Sequence, residues 1–270
     1  MKNLYIYTNP DKCFTGENIN IVKLQIDNSI ELGWDRKDIL LYTNFEYEYN
    51  GVKSIIVDEI DIDWDRTSNK IFVIKDLMHK GLLVEGELYW YHDFDAYQND
   101  IITAEELGLN NTTPIGLTGY GYKPQINGGG FFFINNDSSR DVFDQWCKQT
   151  LEIVRTRADE KTMTDMTMRP IKWGDKTIKP NNTIAWVEGD GSLTGVGYQL
   201  LNITYNFGQR CPQLCYNNAN KPLKVLHFHP HYEFYTYKGH KNIDIMRGKN
   251  KYNVPMMSER LSKLFAKYGY

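Results

Sequence analysis

Asp93 and Asp95, in the stretch LYWYHDFDAYQ (88–98), are the residues whose types and spacing first point to chemistry. They follow directly on a run of bulky β-formers, Leu88 to Tyr91, and flank one aromatic, Phe94. In an extended segment residues two apart point the same way, so both carboxylates can face one site. Two convergent acids suit a divalent cation such as Mg²⁺ or Mn²⁺, which can in turn hold a diphosphate. The other reading is a pair of turn-capping aspartates. Asp61, Asp63 and Asp65 in DIDWD repeat the pattern, but several residues past a strand in a charged loop, where a solvated acidic turn accounts for them. Late in the chain, VLHFHPH places His227 and His229 on one face of an apolar strand, with His231 just beyond. Imidazole joined to two carboxylates is a mixed nitrogen and oxygen set that suits Mn²⁺ better than Mg²⁺. A zinc site from the histidines alone is the alternative, with nothing nearby to complete it.

The elements that must position these residues read as an alternation. NLYIY (3–7) is a strand; Ile19, Val22, Ile26 and Ile30 recur at helical spacing before Gly33; DILLYT (38–43) and VKSIIVD (52–58) are short buried strands. Ser68 is placed to cap a helix carrying Ile71, Ile74, Leu77 and Met78, and GELYWYH (86–92) is the next strand. Strand, helix, strand, strand, helix, strand argues for a largely parallel sheet with helices packed on it. After a polar stretch (99–127), INGGGFFFINND reads as a glycine turn opening onto an apolar strand. Ser138 or Ser139 then caps a helix with Val142, Phe143, Trp146, Leu151 and Val154 on one face. Residues 157–170 read as a polar helix closed by Pro170, 171–222 as irregular, LKVLHFHPH (223–231) as a late strand and 254–270 as a terminal helix.

The bulk numbers bound the function. The chain of 270 residues is 41% hydrophobic and 24% charged, ordinary for a globular protein, and shows no repeat or linker, so one domain is the economical reading. A net charge of −3 and the lack of a basic tract argue against a nucleic-acid partner. No run approaches the ~18 apolar residues of a membrane span. Four cysteines are sparse for a disulfide scaffold and are read as reduced thiols in a cytoplasmic setting.

Taken together, these pieces resemble the GT-A class of nucleotide-sugar-dependent glycosyltransferases. Asp93-Phe94-Asp95 resembles the metal-binding Asp-x-Asp that ends a central strand in that class, and NGGGFFFIN (127–135) its Gly-containing segment entering an apolar strand. Asp159-Glu160 is similar to its acid-rich helix start, and KVLHF (224–228) to the histidine that closes the metal site in glycogenin-like members. The order fits over about 230 residues, but the Lys-Pro-Trp ending of the glycogenin-like pattern is absent, so no family within the class is assigned.

The resemblance implies a Rossmann-like α/β single domain over 1–270, with a nucleotide-binding half (1–98) and an acceptor-binding half with a C-terminal helix (99–270). It implies that Tyr7, Thr8 and Asn9 receive base and ribose, and that Asp93 reaches ribose or metal. Asp95 and His227 would ligate Mn²⁺ or Mg²⁺ with His229 as substitute, and Lys238 would contact phosphate, with Lys75 and Lys80 as further candidates. Asn127, Gly128 and Gly129 would let the backbone approach sugar or acceptor closely. An inverting reaction would need a carboxylate base, from Asp159, Glu160, Asp165 or Asp190, with Asp159 favoured; a retaining one would not. The implied partners are a nucleotide-sugar donor, a UDP-sugar above others, and a carbohydrate acceptor. Two rival readings stand beside this one. Haloacid-dehalogenase-like phosphohydrolases also open on a strand ending in Asp-x-Asp, though near the chain start and with Thr or Val where Tyr97 stands here. A non-catalytic carbohydrate-binding protein of the same fold would use the many Trp and Tyr rings for stacking.

Overall fold

A computed structural model describes residues 1–58, 66–120, 125–153, 157–166, 183–187, 196–208, 213–230, 239–250 and 253–270; Asp190, His231, Lys238 and the DIDWD acids lie outside them. In chain order the elements are β1 (Lys2–Tyr7), α1 (Asn18–Glu31), β2 (Ile39–Thr43), β3 (Glu48–Tyr49), β4 (Val52–Ile56), α2 (Asn69–His79), β5 (Leu88–His92), β6 (Ala96–Gln98), α3 (Ala104–Leu107), β7 (Ile115–Gly119), β8 (Ile126–Ile134) and α4 (Asp137–Leu151). They continue with α5 (Ala158–Met166), β9 (Thr183–Val187), β10 (Val196–Leu200), β11 (Phe207–Gly208), α6 (Gln213–Asn218), β12 (Val225–His227), α7 (Asn242–Met246) and α8 (Glu259–Lys267). The main sheet has nine strands in the order β3-β4-β2-β1-β5-β8-β7-β10-β9. Strands β4, β2, β1, β5, β7 and β10 share one direction, and β8, antiparallel to both β5 and β7, joins the two parallel groups. This is the largely parallel, helix-flanked sheet that the alternation predicts. Among the described residues no helix is long and apolar enough to cross a membrane.

β5 lies at the centre, and every one of its residues is buried. Tyr89 and Tyr91 pack with Ile74 and Leu77 of α2 and Val142, Phe143 and Trp146 of α4, while Leu88 and Trp90 face a second core with Phe132 and Tyr205. Facing aromatic pairs fix the β5–β8 register: Tyr89 on Phe133, Trp90 on Phe132 and Tyr91 on Phe131, with ring centroids 5.3, 5.9 and 4.9 Å apart. Such pairs are worth about 0.5–1.5 kcal/mol each beyond their buried area. A strand covered on both faces reads as a continuous apolar run, and that is why LYWYH carries no polar alternation.

Several local expectations change. Gly128, Gly129 and Gly130 are not a turn before β8 but lie within it. There Gly116 pairs with Phe132 and Thr118 with Asn127, so residues 128–131 stand outside the β7 ladder as a bulge, a position that favours glycine. Ser68 makes no capping hydrogen bond to α2; its hydroxyl is taken by Asp159 instead. α4 is capped by Asn136, with Ser139 closing a reciprocal capping box. The late strand is shorter than 223–231 and ends at His227. The polar stretch 99–127 hides strand β7, and Asn50-Gly51, both at positive φ, form a two-residue hairpin between β3 and β4.

The terminal helix is tied down by one carboxylate. Asp27 of α1, 6% exposed, accepts hydrogen bonds from Lys267 Nζ (2.7 Å), Tyr268 Oη (2.7 Å), Asn50 Nδ2 (3.0 Å) and Tyr49 Oη (3.3 Å). Burial pushes its pKa up, but the bonds from Lys267, Tyr268 and Asn50 outweigh burial and hold it below the usual carboxylate range. A depressed folded pKa gives stability that is complete above the unfolded value, about 3.9, and is lost as pH falls through the folded one. Asp27→Asn is therefore expected to lower stability at pH 7 by about 1–3 kcal/mol. In urea melts at successive pH values the gap to wild type should close below pH ~4; a gap independent of pH would remove this carboxylate from the account.

Candidate active site

The Asp-x-Asp segment leaves β5 as a tight turn. The Ala96 N–H donates to Asp93 O at 3.0 Å, so the two acids are not related by extended-strand alternation as their spacing suggests. Phe94, between them, packs on Tyr5, Tyr7 and Phe14, and Gln25 of α1 donates Nε2 to the Phe94 and Ala96 carbonyls at 2.8 and 3.0 Å. On the other side the Asp93 N–H donates to Gly129 O at 2.9 Å. The turn is thus clamped between α1 and the β8 bulge, and both carboxylates line one cavity of about 840 Å³, a volume suited to a nucleotide-sized ligand.

β6 then carries the chain into a second sheet, β11-β12-β6, in which β12 is antiparallel to β6 with Ala96 opposite His227. The Phe228 N–H donates to Asp95 O at 2.9 Å. This ladder is what brings the late histidines to the acids. Asp95 Oδ2 lies 3.2 Å from His227 Nε2 and 3.0 Å from His229 Nε2. Burial alone would raise the Asp95 pKa; His227 first, then His229, outweigh it and hold the carboxyl well below its ordinary range. Burial works against charge on His227, and Asp95 overcomes it, so its pKa is raised.

These residues fit a divalent cation in chemistry and in spacing. Two donor atoms each about 2.1 Å from one cation, at right angles, are about 3.0 Å apart. The Asp95 contacts to His227 and His229 match that edge. Among the described residues, however, no group of three or more His, Cys, Asp or Glu side chains is arranged to hold a metal ion, so a cation here would depend on rearrangement of these side chains and on oxygen atoms of a ligand.

Behind Asp93 lies a buried charge cluster. Lys70, in the first turn of α2, has its side chain 8% exposed; its Nζ is 3.3 Å from both Asp93 oxygens and 3.4 Å from Asp159 Oδ2. Burial favours a neutral amine there, but Asp93, Asp159 and Glu160 outweigh it and keep Lys70 charged. The Tyr91 hydroxyl also donates to Asp93 Oδ1. Asp159 accepts from Ser68 Oγ at 3.1 Å through Oδ1; its pKa is raised by burial, against Lys70, with Glu160 and Asp93 adding to the rise. Glu160 is a clasp, accepting from Tyr120 Oη (2.5 Å), Gly128 N (3.1 Å) and Gln125 Nε2 (3.2 Å).

The cavity gathers Tyr7, Thr8, Asp93, Asp95, Asn127, Asp159, Glu160, His227 and His229 of the residues singled out from sequence. Asn9 is turned away: its backbone pairs with the Asn44 side chain and its amide with Cys13 O. Lys75 and Lys80 are spent on Asp144 and Asp76, and Asp165 on Lys161. Lys70 and Asn206 are the residues that sequence reasoning missed. Lys70 had a signal: it lies one turn before Ile74 and two before Leu77, a lysine on the helix's apolar face.

The bulge glycines have a definite role. A Cβ on Gly129 would meet His227 Cε1 at 2.2 Å and one on Gly128 would meet Asp159 Oδ2 at 2.9 Å, whereas one on Gly130 has ordinary contacts from 3.7 Å outward. Their absent side chains make room for the protein's own imidazole and carboxylate. Gly129→Ala is expected to lower stability by about 1–3 kcal/mol, the usual cost of overpacking, while Gly130→Ala stays near wild type; equal urea midpoints for the two variants would show that His227 does not need this room.

Neither a family model nor a curated protein sequence matches the chain. Solved structures do. The galactosyltransferase LgtC, crystallised with donor and acceptor sugar analogues, superposes with a TM-score of 0.51 at 12% identity, over 100% of this chain and 97% of that one. An active-site mutant of LgtC gives 0.53 at 13% identity over 99% and 96%. The glycosyltransferase GlyE of Streptococcus pneumoniae TIGR4 gives 0.55 at 12% identity over 99% of this chain, which spans 60% of GlyE. At such identities the likeness is one of fold: the chain has the GT-A fold of these glycosyltransferases.

Proposed function

We propose that the protein transfers a sugar from a nucleoside-diphosphate sugar, a UDP-sugar above others, to a hydroxyl of a glycan or similar acceptor, with Mn²⁺ or Mg²⁺ as cofactor. The observation that carries this reading is the convergence of Asp95 with His227 and His229 on the cavity at the end of β5, in a sheet of GT-A order. Ligands of open α/β sheets bind outside the carboxyl ends of the strands. Tyr7 and Thr8, at the end of β1, line the part of the cavity assigned to base and ribose, and residues 99–270 would supply the acceptor side. A cation bound by Asp95 and the histidines supplies charge against the departing diphosphate.

The chain's own residues do the rest. Lys70 holds Asp93 in place and puts a fixed positive charge beside it. Glu160, with its three donors, is a structural clasp between α5 and the β7–β8 edge and a poor base. Asp159 is the better candidate: it lines the cavity, and its Oδ2, buried and 3.4 Å from Lys70 Nζ, makes no hydrogen bond. A raised pKa also brings a carboxylate closer to the value a general base needs. The phosphohydrolase alternative has no comparable support, since the Asp-x-Asp strand is paired antiparallel to β8 and Tyr97 is sealed in a core.

Calorimetric titration of UDP with and without Mn²⁺, on wild type and Asp95→Ala, tests the reading. Metal-dependent binding that the substitution abolishes is expected; if neither UDP nor GDP binds, the donor site is lost and with it the transferase. For an inverting reaction, Asp159→Asn should keep UDP binding, lower kcat by about 10²–10⁴-fold and remove the acid limb of the pH profile, because a base works only when deprotonated. An unchanged kcat would remove Asp159 as the base.

A further inference from the structure

We propose that Asn44 is a positioning residue of the donor site: its side-chain amide pairs with the main chain of Asn9 and so holds residues 8–17 in the shape that receives base and ribose. The inference rests on the nucleotide-sugar reading above. Both ends of that segment line the cavity, Thr8 at one and Glu17 at the other, beside Tyr7 and Asn18. Between them Pro10 to Cys13, Thr15 and Gly16 are exposed, and Phe14 alone is buried. A loop with so few buried apolar contacts has little of its own to fix its shape.

The pairing of β1 with β2 ends at Tyr7 opposite Thr43. One step further along β2 the Asn44 side chain takes over from the backbone. Its Oδ1 accepts the Asn9 N–H at 3.0 Å, and its Nδ2 donates to Asn9 O at 2.8 Å. One planar amide thus answers both main-chain groups of Asn9, as a neighbouring peptide would. Among side chains of this length only asparagine carries a donor and an acceptor on one planar group. Asn9 passes the restraint into the loop. Its O also accepts the Lys12 N–H at 2.9 Å, its Oδ1 accepts the Asp11 N–H at 3.1 Å, and its Nδ2 donates to Cys13 O at 2.9 Å.

The support under Asn44 is itself fixed. The Ser54 N–H of β4 donates to Tyr47 O at 2.8 Å, the Tyr47 N–H donates to Ser54 Oγ at 2.8 Å, and Ser54 Oγ donates to Phe45 O at 3.1 Å. Rings from the same stretch hold the far side of the loop, with Phe14 5.0 Å from Phe45 and 4.8 Å from Tyr47. Residues 44–47 therefore grip the loop twice, by hydrogen bonds at Asn9 and by packing at Phe14. Releasing the first grip leaves the second, so the loop stays attached while the part next to Thr8 loses its shape. A ligand that needs one shape then binds more weakly in proportion to the fraction of molecules that hold it.

The test compares wild type, Asn44→Ala and Asn44→Asp as full chains. Asn44 is half-buried, so truncation opens no core, and aspartate keeps the shape of the amide but offers Asn9 O no donor. In calorimetric titration with Mn²⁺ present, both variants should bind UDP about tenfold more weakly than wild type, GDP replacing UDP if wild type selects it. In hydrogen exchange without nucleotide, both should exchange faster than wild type over residues 8–17 and at the wild-type rate over 86–98, which hold β5 and the Asp-x-Asp turn. Wild-type nucleotide affinity in either variant overturns the proposal. So does unchanged exchange over 8–17, or faster exchange that spreads to 86–98 and makes Asn44 a general support of the fold. If wild type binds neither nucleotide, the donor reading falls and the base-site role with it; if wild type and variants bind equally, this role alone falls.

Discussion

Three backbone pairings, Gln98 with Val225, Tyr97 with Leu226 and Ala96 with His227, join parts of the chain some 130 residues apart, and the site exists only while they hold. Side chains alternate along a strand, so a slip of one residue would present Leu226 or Phe228 to Asp95 in place of His227. What opposes the slip is packing remote from the chemistry. Tyr97, Leu226 and Phe228 are all buried in one core with Leu261, Leu264 and Phe265 of α8, and the Tyr97 ring lies 5.1 Å from Phe228 and 4.8 Å from Phe265. α8 in turn is held to α1 and the β3–β4 hairpin through Asp27. The terminal helix thus belongs to the same mechanical chain as the Asp95–His227 contact.

A second constraint comes from the β8 bulge. Cross-strand aromatic pairs hold β8 against β5, and the glycines then carry it past His227 and Asp159 at distances no side chain would permit. The bulge also supplies the Gly129 carbonyl that receives the Asp93 N–H and the Gly128 N–H that Glu160 holds. One irregular stretch of strand therefore sets the Asp-x-Asp turn, the imidazole and the start of α5 relative to one another.

Much of this was legible in the sequence because it is written locally. The apolar run 88–91 and the helical spacing of Ile71, Ile74, Leu77 and Met78 fall where pattern places them, and the terminal helix does too, though it begins at Glu259 behind a Ser258 cap rather than at 254. The association of Asp95 with the late histidines was legible as chemistry, from residue types that rarely share an apolar strand for packing alone. What was not legible depends on partners distant in the chain. Ser68 carries the type and place of a cap, but Asp159, 91 residues away, takes its hydroxyl. The glycines of β8 look like a turn until the β7 register reveals a bulge. Lys70 shows its place on the apolar face of the helix, but not that Asp93 and Asp159 close on it, and Asn206 has no local mark at all. Asn50-Gly51 is a different case, a local hairpin signal that was passed over.

The charges of the cavity bear on how a diphosphate could enter it. Among the described lining residues, Glu17, Asp93, Asp95, Asp159 and Glu160 are acids, against Lys70, Arg157 and the two imidazoles. The charge of Lys70 is already shared between two of those acids. Two like charges roughly 6 Å apart repel by about 3 kcal/mol at an effective dielectric near 20, so a doubly charged diphosphate brought beside Asp93 and Asp95 alone meets a barrier of several such terms. A divalent cation held there would cancel the charge of the two carboxylates. The same acids that repel the bare nucleotide draw the cation in, and Asp95 and His227 already attract each other across the edge a cation would span. Metal and donor would then be recognised as one unit, each poorly tolerated without the other.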